Sequence, residues 1–72
     1  MGITPTFGES LTFRECDIMN QVTSGKSTKE ISQELNISRA TVYKHLERIY
    51  IKYGVHNKIQ ALLKYNIERD HV

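Results

Sequence analysis

Cysteine and proline each occur once in these 72 residues, and no apolar run is long enough to span a bilayer. A lone Cys16 excludes an internal disulfide, and no stretch has the charged-then-apolar order of a signal peptide, so the chain reads as cytosolic with no membrane partner. Pro5 lies in a lead-in, MGITPTFGES, that also takes two of the four glycines and has no apolar period, which predicts a flexible tail or linker over 1–10. At this length one small domain forms, burying roughly 60% of the surface its unfolded chain exposes. A deep enzyme cleft has no room in it. His45, His56 and His71 have no cysteine or carboxylate at metal-ligand spacing, Cys16 has no histidine partner in the pattern, and a glycine-rich phosphate loop is missing. No catalytic residue, metal or cofactor is therefore expected. Two short matches, Met1-Gly2 with Thr6 for myristoylation and Asn36-Ile37-Ser38 for glycosylation, are of a length that arises by chance.

What is present is unevenly distributed charge. Residues 36–65 carry six bases, Arg39, Lys44, Arg48, Lys52, Lys58 and Lys64, against Glu47, whereas residues 1–35 carry three bases and five acids. A one-sided basic field is the footprint of a polyanion partner, usually nucleic acid, with a merely solvated helix face as the alternative.

The pattern divides the rest into four helical segments, an all-α compact domain over 11–68 followed by a tail at 69–72. Thr12 and Glu15 form a capping box ahead of Ile18, Met19 and Val22 at helical spacing, and Gly25 ends the segment. A second capping box, Ser27 with Glu30, opens a short helix through Ile31 and Leu35, with Ser32 where a partner helix approaches closely. Ser38 then caps a third helix only three or four residues later. That spacing is a helix-turn-helix, with Ile37 plugging the angle.

On the third helix, 39–53, a wheel at 100° per residue puts Val42, Leu46, Ile49 and Tyr53 toward the core, with His45 and Tyr50 on the flanks. Ala40, Lys44, Glu47, Arg48 and Ile51 face away, with Tyr43 at the boundary. The N-terminal half is the part that enters a major groove in helix-turn-helix docking, so a reading head for DNA is the expectation. A fourth helix, 57–67, starts at an amide capping box of Asn57 and Gln60. Its stripe Ile59, Leu63 and Ile67 is expected in the core. The second stripe, Lys58, Ala61, Leu62 and Tyr65, is expected to meet a symmetric copy, the alternative being one broad core face with Tyr65 reaching to solvent.

In order and without gaps, LTFRE, KEIS, LNISRATVYKH and IYIKYGVHNKIQA make residues 11 to about 65 resemble the LuxR-type (NarL/FixJ, GerE-like) helix-turn-helix domain of bacterial transcription regulators. The resemblance implies a four-helix DNA-binding domain that dimerises through its last helix, the output half of a response regulator or quorum-sensing receptor. It also implies structural roles for Glu15 and Glu30, phosphate contacts at Ser27, Thr28, Lys29 and Thr41, a core contact at Val42, and a flank position near the DNA backbone for His45. Ser38 and Arg48 complete the phosphate candidates. Three positions depart from the family pattern: Phe13 stands for the usual Pro at N1, Tyr53 for an aliphatic, and Tyr43 where a base-facing Lys is common.

Side-chain chemistry then assigns base contacts. Lys44 can donate to guanine, Glu47 can accept from cytosine N4, Tyr43 can pack on a thymine methyl or bond a phosphate, and Arg39 can reach either a base or the backbone. Glu47 has a second reading, pairing with Lys44 or Arg48 in water. The expected partners are double-stranded DNA with two half-sites, a second copy as homodimer, a receiver or sensor domain in a longer chain, and RNA polymerase, with nucleoid association when bound. Rival readings are a protein-interaction domain using Tyr43 and Ile51, and the promoter-recognising region of a sigma factor.

Overall fold

The computed structural model describes residues 10–70, with side chains as far as 68; the expectations for 1–9 and 71–72 lie outside the described residues. Four helices follow one another: α1 (Phe13–Thr23), α2 (Thr28–Leu35), α3 (Arg39–Tyr53) and α4 (Lys58–Asp70). The last runs three residues past the expected end at 67.

Each boundary has a local cause. Thr12 Oγ1 accepts from the Glu15 N–H at 3.2 Å while Glu15 Oε1 accepts from the Thr12 N–H at 2.9 Å, so two otherwise orphaned donors are satisfied reciprocally. Ser27 and Glu30 repeat the device on α2, at 3.2 and 2.8 Å. On α4 the device is offset by one residue. Asn57 Oδ1 accepts from the Gln60 N–H at 2.9 Å, but Gln60 Oε1 reaches back to the His56 N–H instead of that of Asn57. At the other ends, Gly25 (φ 81°) and Gly54 (φ 68°) take the left-handed conformation that a side chain penalises.

Between α2 and α3 the same conformation falls on Asn36 (φ 57°, ψ 45°), and the Ile37 N–H closes the turn on the Ser32 carbonyl at 3.0 Å. Asparagine tolerates this region better than most residues with a Cβ. Ser38 Oγ accepts from the Thr41 N–H at 3.1 Å, so α3's cap falls two residues after α2's cap. Ile37 packs half-buried against the core, and Ser32 is buried with its hydroxyl donating to the Lys29 carbonyl at 2.7 Å. The short turn thereby fixes α3 against α2.

The core gathers Ile18, Met19 and Val22 of α1, Ile31 of α2, Val42, Leu46, Ile49 and Tyr53 of α3, and Ala61 and Tyr65 of α4. Full burial of an aliphatic side chain contributes about 1.5–3 kcal/mol, and Ile18, Met19, Ile31, Val42 and Ile49 are enclosed to that degree. Every expected core residue of α1 and α3 is there. On α4 the expectation is reversed. Ala61 and Tyr65 are buried and Leu62 is half-buried, whereas Ile59, Leu63 and Ile67 are 70%, 59% and 66% exposed. Alanine lets α4 approach its neighbours closely, and the Tyr65 hydroxyl finds Asn20 Oδ1 at 2.5 Å, so a small residue and a capped aromatic take the inside. Ala61 and Tyr65 are thus spent on the core and Leu62 partly so, which leaves Lys58 as the exposed member of the set expected to meet a second copy.

One polar contact ties the first helix to the third. Lys52 Nζ lies 2.6 Å from Glu15 Oε1 and 3.4 Å from the Ser10 carbonyl, and the glutamate side chain is 3% exposed. Burial pushes the Glu15 carboxyl up, but the Lys52 bond and charge together with the Thr12 bonds outweigh it and hold the group below its ordinary 4.5.

Two tests follow from these contacts. Removing one partner leaves a buried charge uncompensated, so Lys52→Met is expected to lower unfolding free energy in urea by about 3–5 kcal/mol, with part recovered in the Glu15→Gln/Lys52→Met double variant. Because folding lowers the Glu15 pKa, the pair's contribution is fully present above about 4.5 and is lost as pH falls through the lower folded value. A Tm series from pH 7 to pH 3 checks this: the wild type should lose more stability over that range than the double variant. At the turn, Asn36→Val places a β-branched residue in the left-handed region and should cost about 1–2 kcal/mol, read from the urea midpoint.

Candidate nucleic-acid interface

The fold covers α3 on one side only. Arg39, Ala40, Tyr43, Lys44, Glu47, Arg48 and Ile51 are all exposed, and they form one continuous face of its 15 residues. Within that face Ala40, Lys44 and Arg48 are successive i, i+4 neighbours, as are Arg39, Tyr43 and Glu47. Tyr43 is 59% exposed and Ile51 43%. All four base-contact candidates, Arg39, Tyr43, Lys44 and Glu47, thus share this open face, as does Arg48 from the phosphate set.

Local electrostatics give the face a direction. An α-helix carries roughly half a positive charge at its N-terminus, where acids are stabilising by about 0.3–1 kcal/mol and bases are not. The first turn of α3 holds no acid and begins with Arg39. The first turn of α4 likewise holds no acid and begins with Lys58. Both placements oppose the helix's own preference and build positive potential where an anion can meet it.

The remaining phosphate candidates divide by how occupied they are. Ser27 and Ser38 already accept capping bonds, and the Ser27 hydroxyl retains a proton to donate. The Ser38 and Thr41 hydroxyls lie 2.9 Å apart and bond to each other, so they act as one unit at the start of α3. Thr28 and Lys29 occupy the first two positions of α2, half-buried and exposed respectively, and His45 is half-buried on the flank of α3.

Beside the open face runs a groove of about 390 Å³, lined by Thr28 of α2, Tyr43, Leu46, Glu47 and Tyr50 of α3, and Lys58 of α4. It brings Lys58 to the α3 side of the domain. Sequence reasoning missed this because it treated α4 as a helix with two sides rather than one with an end. The signal that finds it is a lysine at the first helical position with no acid to balance it.

Burial first, and then the charges of Glu15 and Asp17, push the Cys16 thiol up and away from the thiolate. Among the described residues no group of three or more His, Cys, Asp or Glu is placed to hold a metal ion, and no helix is long and apolar enough to cross a membrane.

Comparison with known proteins gives the arrangement its context. The regulatory protein DesR of Bacillus subtilis (strain 168) is 43% identical over 54 residues, which cover 75% of this chain and 27% of DesR. The glycerol metabolism activator of Pseudomonas putida is 36% identical over 62 residues, 86% of this chain and 28% of the activator. Among solved structures, the response regulator ChrA of a heme-sensing two-component system superposes with a TM-score of 0.80 at 36% identity, over 85% of this chain and 30% of that one. The chain therefore spans less than a third of the length of the relatives it matches. Residues 9–65 match the model of the bacterial regulatory proteins of the luxR family, and the chain belongs to that family.

Proposed function

We propose that this chain binds duplex DNA sequence-specifically as the output domain of a bacterial transcription regulator, with α3 in the major groove. A luxR-family helix-turn-helix is a regulator's domain and not an enzyme. The observation that carries the reading is the cation-bearing face of α3, left open by a fold that buries that helix's other side. A helix about 10–12 Å across fits a groove about 12 Å wide. On this reading Arg39, Tyr43, Lys44 and Glu47 meet base edges, while Ser27, Thr28, Lys29, Ser38, Thr41, His45 and Arg48 meet phosphates and set the register. A target of two half-sites about one helical turn apart follows if two copies bind together.

Self-association in this proposal uses α4, through the face the fold leaves uncovered. Ile59, Leu63 and Ile67 recur at i, i+4 and i+8 and are exposed together, so they make an unpartnered apolar stripe about two turns long. A second copy related by a twofold axis buries the same stripe on both sides. Because the matched stretch covers less than a third of the relatives' length, a receiver or sensor domain in a longer chain supplies control in this reading, and RNA polymerase is the downstream partner.

Site selection on random duplexes tests the whole: enrichment of a motif with paired half-sites is expected, and binding that shows no base preference would refute specific recognition. Lys44→Ala should cost about 1–3 kcal/mol and relax preference at one position if it reads a base, or shrink the salt slope uniformly if it meets phosphate. Leu63→Asp should weaken binding to a two-half-site duplex while leaving affinity for a single half-site unchanged, since the residue is 59% exposed and its replacement need not disturb the core.

A further inference from the structure

We propose that Ala40 reads a thymine, its methyl group packing on the 5-methyl of that base at the floor of the major groove; the proposal rests on the DNA-binding reading above and adds a base contact that carries no charge. The buried residues Val42, Leu46, Ile49 and Tyr53 define the inner side of α3. At about 100° per residue the ridge opposite them is made of Ala40, Lys44, Glu47 and Ile51, with Tyr43 and Arg48 lower on either side. All four ridge residues are exposed. Ala40 and Lys44 lie in the N-terminal half, the half that enters a groove in helix-turn-helix docking. Lys44 ends in an ammonium on a long flexible stem, whereas Ala40 ends in a single methyl. The helix backbone can therefore come nearest to the base edges at Ala40, where no side chain holds it off.

The neighbours of Ala40 favour that approach. Thr41, whose hydroxyl lies 2.9 Å from that of Ser38, falls on one flank of the helix start and Arg39 on the other. With these groups on phosphates, the start of α3 is drawn inward from both sides and the Ala40 methyl is carried toward the floor. Chemistry then selects the base. Ring nitrogens, carbonyl oxygens and exocyclic amines on the base edges are polar, and the thymine 5-methyl is the apolar group among them. A methyl set against the polar atoms strips them of water and gives no hydrogen bond in return, whereas against the 5-methyl it buries apolar surface on both partners. Ala40 has no competing task inside the fold, since it is exposed and stands outside the core. Tyr43, the other residue suited to a thymine methyl, lies off the ridge and lines the groove beside α3 with Leu46 and Tyr50.

The test uses the 72-residue chain and the duplex that site selection enriches, with each thymine replaced in turn by deoxyuridine. Deoxyuridine pairs identically and lacks only the 5-methyl. Affinity is followed by fluorescence anisotropy. The wild type should lose about fourfold at a thymine of each half-site, which is what burial of one methyl-sized group contributes. In Ala40→Gly the ratio of the two affinities at that thymine should fall to about one, while in Tyr43→Ala it should stay near its wild-type value. Both duplexes of a pair are measured on the same protein, so any helix stability lost in Ala40→Gly cancels from the ratio. A wild type that prefers a site yet distinguishes thymine from deoxyuridine at no position overturns the thymine assignment alone. So does a distinction that persists at every thymine in Ala40→Gly, or one that vanishes at the same thymine in Tyr43→Ala, which would give that base to Tyr43. A wild type without base preference overturns both this assignment and the reading beneath it.

Discussion

Every other element is arranged around the burial of α3 along one stripe. Val42, Leu46, Ile49 and Tyr53 take contacts from α1, α2 and α4 alike, so this helix is the hub on which the remaining three pack. A helix in that position cannot tilt or rotate without opening the core on several sides. Its orientation is thus fixed by hydrophobic burial, and the direction in which its uncovered face points is fixed with it. The surface proposed to meet DNA inherits its rigidity from residues that never touch DNA.

Two constraints keep the hub from sliding along its own axis. At its start, the Asn36-Ile37-Ser38 turn leaves no slack, because α2's cap and α3's cap are two residues apart and Ile37 is packed beneath them. Near its end, Lys52 reaches back to Glu15, whose carboxylate is also fixed by the Thr12 N–H at the start of α1. The glutamate therefore serves as a cap and as a buried counter-ion at once. Such a pair contributes little net stability beyond what a well-packed apolar pair would give, yet it demands one relative placement of α1 and α3.

The parts that could be read from the sequence are those governed by neighbours three or four residues away. The Thr12/Glu15 and Ser27/Glu30 boxes, the Ser38 cap, the glycines at 25 and 54 and the core stripe of α3 all depend on local spacing. The Glu15–Lys52 pair did not announce itself, because its members are 37 residues apart and each has a satisfactory local explanation. The core stripe of α4 is hidden from the sequence for a different reason. Ranking by hydrophobicity favours Ile59, Leu63 and Ile67 for the inside, but what decides the matter is how near α4 can come, and Ala61 sets that distance. Tyr65 sits inside with its hydroxyl proton accepted by Asn20, 45 residues earlier. No periodicity contains that fact.

The reversal on α4 changes what kind of regulator this domain makes in the proposed function. Had Ala61, Leu62 and Tyr65 faced a second copy, the contact would have been small and partly polar, and weak on both counts. The stripe left outside is instead aliphatic throughout, and leaving three such side chains in water sacrifices burial that a 72-residue domain can use. A single copy also has few cations with which to hold phosphates, so its affinity alone is low at cellular salt. Joining two copies turns the second encounter with DNA into an intramolecular step, which raises affinity without any new base contact. Control over occupancy then need not act at α3 at all. It is enough for the rest of a longer chain to cover or release the aliphatic stripe of α4, leaving the reading face as rigid in the inactive state as in the active one.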